Sequence, residues 1–352
     1  MRVETSEQGW LHPATGFPEH ALWKGLRLAA SLNVTLAVLA LVGASVVWTY
    51  LLAGQTVWPM ASSLALCSVN LVAAIAVHPA FRRHTALLAF HLALLAVIVL
   101  VAIGRLTHLK GRVELTSGEA FSGDLTEFEA GPWHGLGYRG VRFVNEGFSI
   151  DYLPGRMRDH TRNRVAYPDA DGRRREVVIG DQVPLVLDGY RFYTSFNKGF
   201  ALKFQWEPNG GAPVRGAVHL PAYPLHEYRQ ANTWTPPGAA QEVWVQLQFD
   251  TPLLDPGQPG RFALPESHVV VARIGERRQV LKPGAALELD GGRAVYEGLG
   301  TWMGYTVFYD WTIPWLLAAC AVAVASMIWH LARKLFDRSW WSGATGEREE
   351  AA

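Results

Sequence analysis

The apolar residues of this chain are pooled rather than spread. They gather in four stretches, about 28–53, 57–77, 85–104 and 312–332, and each is long enough to cross a bilayer. About 20 residues rising ~1.5 Å each span a hydrocarbon core of ~30 Å. Backbone inside lipid must satisfy its own hydrogen bonds, so each stretch reads as a helix. Residues 105–311 have ordinary soluble composition. The expected fold class is an α+β membrane protein: four transmembrane helices, three N-terminal and one C-terminal, with a large exported all-β domain, sandwich or barrel-like, between helices 3 and 4. The first stretch is too long for a cleaved signal peptide, and Glu4, Glu7 and Glu19 precede it.

Charge orients the spans. Lys24 and Arg27 precede helix 1, Arg82 and Arg83 fill the turn "HPAFRRH", and Arg333, Lys334 and Arg338 follow helix 4; the opposite turn, "GQTVW", is uncharged. Basic short loops stay cytoplasmic. Segments 1–27 and 333–352 are therefore expected in the cytoplasm, and the 105–311 domain in the periplasm or outside the cell. The expected location is the bacterial inner (plasma) membrane, with both termini cytoplasmic. A net charge of +1 and 49% hydrophobic residues suit neither a disordered chain nor a nucleic-acid binder. Cys67 and Cys320 both fall in apolar stretches, which excludes a thiol-relay role for the domain.

Within the domain the apolar period changes to two. "RVELTSGEAF", "VRFVNEGFSIDY", "REVVIG", "YRFYTSF", "ALKFQWE", "EVWVQLQFD", "HVVVARI", "AALELDGG" and "YTVFYDW" read as short strands separated by Gly, Pro and Asp turns. "GLGYRG" (Gly135 to Gly140) matches a dinucleotide fingerprint, but a strand pattern follows it where phosphate binding needs a helix N-terminus, so it is a turn. His219 and His226 read as solvent-exposed loop histidines. No Ser or Cys nucleophile motif, P-loop or C-x-x-C-H is present. Trp340 and Trp341 beside Arg338 read as an aromatic anchor at the membrane interface.

One titratable ring lies inside the apolar run "LLAFHLALLAVIVLVAIG". His91 is about six residues, roughly 9 Å, from the cytoplasmic end of helix 3. An ionisable group at such depth is costly and faces a bundle interior, a cavity or a bound group. Two readings stay open: a neutral imidazole bonded to Asn70 or Ser68 on helix 2, or an axial ligand to haem iron. His84, seven residues earlier, is expected on the same helix face. His78 ends helix 2 and His330 sits in the last turn of helix 4, so four imidazoles collect at one boundary. Imidazole is also at ease at headgroup level with no ligand at all.

Three helices, a large β-rich domain and a fourth helix resemble the layout of the ResB/CcsB family, the membrane subunit of the system II cytochrome c biogenesis machinery. "NLVAAIAVHPAFRR" is similar to the family's second helix and basic turn, and "FHLALLAVIVLVAIGRLTHLKGRVELTSGEAF" to its third helix and following strand. "VNEGFSIDYLPG" and "VVIGDQVPLVLDGYRFYTSF" resemble its domain core, and "GYTVFYDWTIPWLLAACAVAVASMIWHLARKLF" its last strand and helix. The resemblance implies pairing with a CcsA/ResC-type haem-handling membrane protein, and together they would carry haem outwards and present it to apocytochrome c. It implies that His91 is an axial ligand to a transiently bound haem b; His84 and His330 are further candidates only by their place at the same boundary. No residue set here suits thioether chemistry, so the chain is expected to be a non-catalytic subunit of a haem-lyase-like assembly. The alternative is a scaffold that binds no haem and stabilises a partner membrane protein through its β-domain. A transporter is disfavoured by the lack of internal repeats and broken helices, and a sensor by the short cytoplasmic tail.

Overall fold

A short helix precedes the first apolar stretch. The structure, a computed structural model, describes residues 19–51, 57–224, 229–249 and 253–336. Residues up to 18, His226 and the Trp340–Trp341 pair lie outside them. Helix α1, Glu19–Ala29, is amphipathic, and the chain then breaks before α2, Leu32–Leu51. The Ser31 hydroxyl accepts the Val34 amide at 3.3 Å, a cap on one of the free N–H groups that open α2. The expected single stretch 28–53 is thus shorter, and part of the expected N-terminal segment is helical. The apolar side of α1 runs straight into the apolar span, which hides the break from a hydropathy reading.

Helix α3, Trp58–Val77, ends at His78 because the following Pro79 pushes it into extended backbone, with φ −80° and ψ 123°. A five-residue helix α4, Pro79–Arg83, leads through His84 to α5, Thr85–Thr107. Helix α6 is Ile313–Phe336. It runs past the expected end at 332, so His330 stands more than a turn before its end rather than in its last turn. Helices α2, α3, α5 and α6 are each long and apolar enough to cross a membrane. Their apolar residues point outward, Leu36, Val47, Leu317 and Ile328 all being more than half exposed, while Ser45, Ser63 and Asn70 are buried. The Ser45 and Ser63 hydroxyls meet at 2.9 Å between α2 and α3.

The chain divides into two compact units, residues 1–105 with 312–352, and residues 106–311. The second is built of antiparallel strands. In chain order they are β1 (Leu109–Thr116), β2 (Glu127–Ala130), β3 (Val144–Leu153), β4 (Met157–Pro168), β5 (Arg174–Ile179), β6 (Leu185–Leu187), β7 (Tyr190–Pro208) and β8 (Val214–His219). Then follow β9 (Ala231–Trp234), β10 (Val243–Gln248), β11 (Gly260–Arg261), β12 (Val269–Ile274), β13 (Arg277–Leu281), β14 (Ala286–Leu289) and β15 (Gly292–Tyr309). They make three sheets: β2-β1-β15-β7-β6 with β14 on β15 and β8 on β7, then β13-β12-β10-β9, then β11-β3-β4-β5. Among the described residues all three sheets are open, so no barrel closes there.

The spine is the long pairing of β7 with β15, which runs from Gly292 opposite Pro208 to Phe308 opposite Arg191 with two register shifts. "YRFYTSF" and "ALKFQWE", expected as two strands, are the two ends of β7; the break between them is an irregularity in pairing, with Ser195, Phe196 and Asn197 set against Gly304, rather than a turn. One end of the spine carries a core with Leu109, Phe121, Phe143, Phe192 and Tyr305. The other carries a core with Phe200, Leu202, Phe204, Val245 and Val270. "GLGYRG" contains a 3₁₀ turn, Gly137–Gly140, and a strand follows. A buried polar knot joins four strands: Tyr305 Oη donates to Asn163 Oδ1 at 2.7 Å, Asn163 Nδ2 to Asn145 Oδ1 at 2.8 Å, and Asn145 Nδ2 to Leu115 O at 2.8 Å.

Candidate functional site

His91 lies two turns into α5. Its Nδ1 is 2.8 Å from the Leu87 carbonyl one turn earlier. A carbonyl oxygen only accepts, so Nδ1 carries a proton, and the tautomer this bond selects has its lone pair on Nε2. Nε2 has no hydrogen-bond partner among the described residues. A second-atom bond of this kind fixes the tautomer and ring orientation of metal-ligating histidines. Phe81 of α4 packs edge-on against the imidazole with ring centres 4.7 Å apart, and Phe90 with centres 5.2 Å apart. The result is a half-buried imidazole in an aromatic, apolar setting.

The expected bond to helix 2 does not form. Asn70 instead donates to the Ala29 carbonyl at 2.6 Å and accepts from the Thr35 hydroxyl at 3.1 Å, clamping the break between α1 and α2. Ser68 bonds the Leu64 carbonyl of its own helix. Both polar groups bond elsewhere, and His91 bonds its own turn.

The four boundary histidines fall into two pairs. His78 stands near Phe81, ring centres 6.5 Å apart, and so belongs to the His91 side. His84 and His330 face one another edge-on with centres 6.2 Å apart. His84 is extended, φ −121° and ψ 91°, and lies just outside α5, so the seven-residue helical spacing to His91 does not apply to it. Its carbonyl still accepts the first bond of α5, from the Leu88 amide at 3.0 Å. Among the described residues no three His, Cys, Asp or Glu side chains gather to hold a bare metal ion. A metal that brings its own equatorial ligands, as haem iron does, needs only one or two imidazoles.

Histidines of the β-unit are spent differently. His219 ends β8 rather than lying in an exposed loop: Nδ1 meets Glu114 Oε2 and Nε2 meets Thr116 Oγ1, each at 3.0 Å, and the ring stacks on Trp302. Sequence spacing to His226 gave no hint of this, because its partners lie about a hundred residues earlier. His134, which sequence reasoning passed over inside the loop "GPWHG", donates from Nδ1 to the Thr107 carbonyl at 2.8 Å and accepts at Nε2 from Tyr190 Oη at 3.0 Å. Burial pushes the Tyr190 hydroxyl pKa up, which keeps it a donor. Tyr309 packs on both rings, and these residues with Trp133 and Trp311 line a cup of about 430 Å³. Both nitrogens of His134 are occupied, so it lacks the free lone pair of His91.

Comparison with known proteins gives one family match. The model of the ResB-like family matches residues 75–228, a range that holds His78, His84, His91 and strands β1 to β8 but not His330. No curated protein matches. A solved structure titled "Cytochrome c Heme Lyase CcmF" aligns at 16% identity with a TM-score of 0.23, over 84% of this chain and 34% of that one. The chain thus spans about a third of that structure's length, and a likeness of this grade carries neither site nor mechanism across. The stretch around His91 and strands β1 to β8, residues 75–228, are thus similar to the ResB-like family.

Proposed function

We propose that this protein is the ResB-type membrane subunit of a system II cytochrome c maturation complex. It helps carry haem across the membrane and present it to apocytochrome c, alongside a CcsA/ResC-type haem-handling partner. The observation that carries the reading is the His91 hydrogen bond: inside an apolar span of a ResB-like region, the ring anchors Nδ1 on Leu87 and leaves Nε2 without a hydrogen-bond partner among the described residues. On this reading haem is cargo. Its iron takes His91 Nε2 as an axial ligand, and the apolar porphyrin face suits the surroundings set by Phe81 and Phe90.

The residues of the chain then have separate tasks. His91 fixes the depth of the cargo. Phe81 and Phe90 flank the ring, and the Leu87 carbonyl fixes its orientation by accepting the Nδ1–H hydrogen bond. The basic turn with Arg82 and Arg83 stays cytoplasmic, and the β-unit is exported. That domain offers open sheet edges, β5 and β13 among them, on which an unfolded chain is able to add a strand.

The test is an absorption spectrum of the full chain purified in detergent after co-expression with its partner. The wild type is expected to show a Soret band that falls in His91→Gly and returns with added imidazole. Colourless protein, or equal colour in both forms, would sink the haem reading and leave a scaffold that stabilises its partner.

A further inference from the structure

A second site lies at the same end of the helical unit and owes nothing to the histidines. Trp23, Lys24 and Arg27 of α1, Val77 at the end of α3 and Arg82 of α4 line a cleft of about 500 Å³. Three of these five side chains are cations, and among the described residues no carboxylate lines the cleft. Among the described residues no ion pair neutralises them; Arg82 gives one donor to the Ala76 carbonyl at 3.2 Å and keeps the rest of its fork. Like charges spread apart unless the backbone holds them. Here it does: Asn70 of α3 grips the Ala29 carbonyl at 2.6 Å and so pins the end of α1. Cations collected on a fixed frame without counter-charge form an anion site.

The chemistry of the anion follows from where the cleft lies along the chain. Helix α1 leads across a short break into one apolar span, Val77 closes a second and Arg82 stands just before a third, so the cleft is at the level where apolar helices meet water. Trp23 is half exposed, as suits an indole among headgroups, and Leu28 offers an apolar side chain on the same helix, 69% exposed. A soluble anion would use the charges and waste the apolar rim. We infer that this cleft binds the phosphate headgroup of an anionic phospholipid, with Lys24, Arg27 and Arg82 on the phosphate and the acyl chains along Leu28 and the spans. The inference rests on the spans crossing a membrane, and not on haem handling.

The full chain is reconstituted in nanodiscs of equimolar phosphatidylglycerol and phosphatidylcholine, re-extracted in mild detergent and weighed by native mass spectrometry. Phosphatidylglycerol is expected to be retained in preference to phosphatidylcholine. Each of Lys24→Gln, Arg27→Gln and Arg82→Gln is expected to lower that retention about fivefold, the worth of one cation at an anionic surface. Arg83→Gln, next to Arg82 but outside the cleft, is expected to leave it unchanged. An equal loss from Arg83→Gln would reveal diffuse surface charge and overturn the site. Equal retention of both lipids, or a retained mass of haem or nucleotide in place of lipid, would overturn it as well. The Soret band is read on the same samples, so lost lipid selectivity with His91-dependent colour intact defeats this inference alone, and the reverse result defeats the haem reading alone.

Discussion

The two units of this molecule use apolar side chains in opposite directions. In the β-unit Phe121, Phe192, Phe200 and Leu202 are fully buried in packed cores, while Trp133 and Phe196 are among the large apolar side chains left outside. In the helical unit Leu36, Val47 and Leu317 lie outside, and the buried side chains include Ser45, Ser63 and Asn70. Lipid dissolves leucine as well as leucine does, so a span gains little by burying it, and close packing plus a few hydrogen bonds carry helix association. The β-unit owes its stability to water. Hydropathy alone cannot separate these roles; the direction in which the apolar groups face does.

The sharpest way to break the comparison is to truncate one side chain in each unit. Phe192→Ala removes a ring packed on Phe121 and Phe143, and is expected to cost about 3–5 kcal/mol. Leu36→Ala, on the outer face of α2, is expected to cost less than ~1 kcal/mol, because lipid replaces the lost contacts. Denaturant unfolding of the full chain in detergent, followed by tryptophan fluorescence, measures both. Equal costs would mean that the helical unit has a packed core of the soluble kind.

Next in size is a charge the β-unit keeps inside. Lys198 is 3% exposed, with Nζ 2.9 Å from the Ser195 carbonyl and 3.3 Å from the Thr161 hydroxyl. Burial, aided by the Arg158 charge and opposed by Asp181, pushes its pKa from 10.5 down to about 8. Below pH 8 both the folded and unfolded chains bind this proton, and the penalty is constant. Between about 8 and 10.5 only the unfolded chain still binds it, so stability rises with pH across that window, on the order of 3 kcal/mol in all. The Lys198→Met variant is expected to lose the rise. A wild type with a flat profile from pH 8 to 10 would show that Lys198 reaches water.

Sequence made the helical unit nearly readable and the β-unit only in outline, for the same reason. Four long apolar runs leave a helix as the only structure able to cross lipid, whereas a strand shows itself only when its inward side chains are apolar. Strand β4 turns Thr161 and Asn163 inward, both almost fully buried, and so reads as a polar loop. The Asn145–Asn163–Tyr305 knot spans 160 residues of sequence, and no local pattern announces it. At the candidate site the depth of His91 was legible from the run around it. Its tautomer was not, because that depends on which neighbours had already taken Asn70 and Ser68. His84 looked helical by spacing until Pro79 and the short α4 displaced it from α5.

The smallest expected effect tests whether hydrogen bonds in the helical unit place structure more than they stabilise it. Asn70→Ala removes the bonds to the Ala29 carbonyl and from the Thr35 hydroxyl. Bonds between spans average about 0.6 kcal/mol each, so the variant is expected to lose roughly 1 kcal/mol, with most of the Thr35 share recovered in a double-mutant cycle with Thr35→Val. Position should suffer more than stability. With Ala29 released, α1 is no longer held at a fixed angle beside α3, and Lys24 and Arg27 are free to move away from Arg82. Asn70→Ala is therefore expected to weaken phosphatidylglycerol retention while the Soret band of His91 stays unchanged, since neither His91 nor Leu87 bonds Asn70. A loss of colour with the lipid retained would show that Asn70 acts on His91 after all, through packing that its hydrogen bonds do not record.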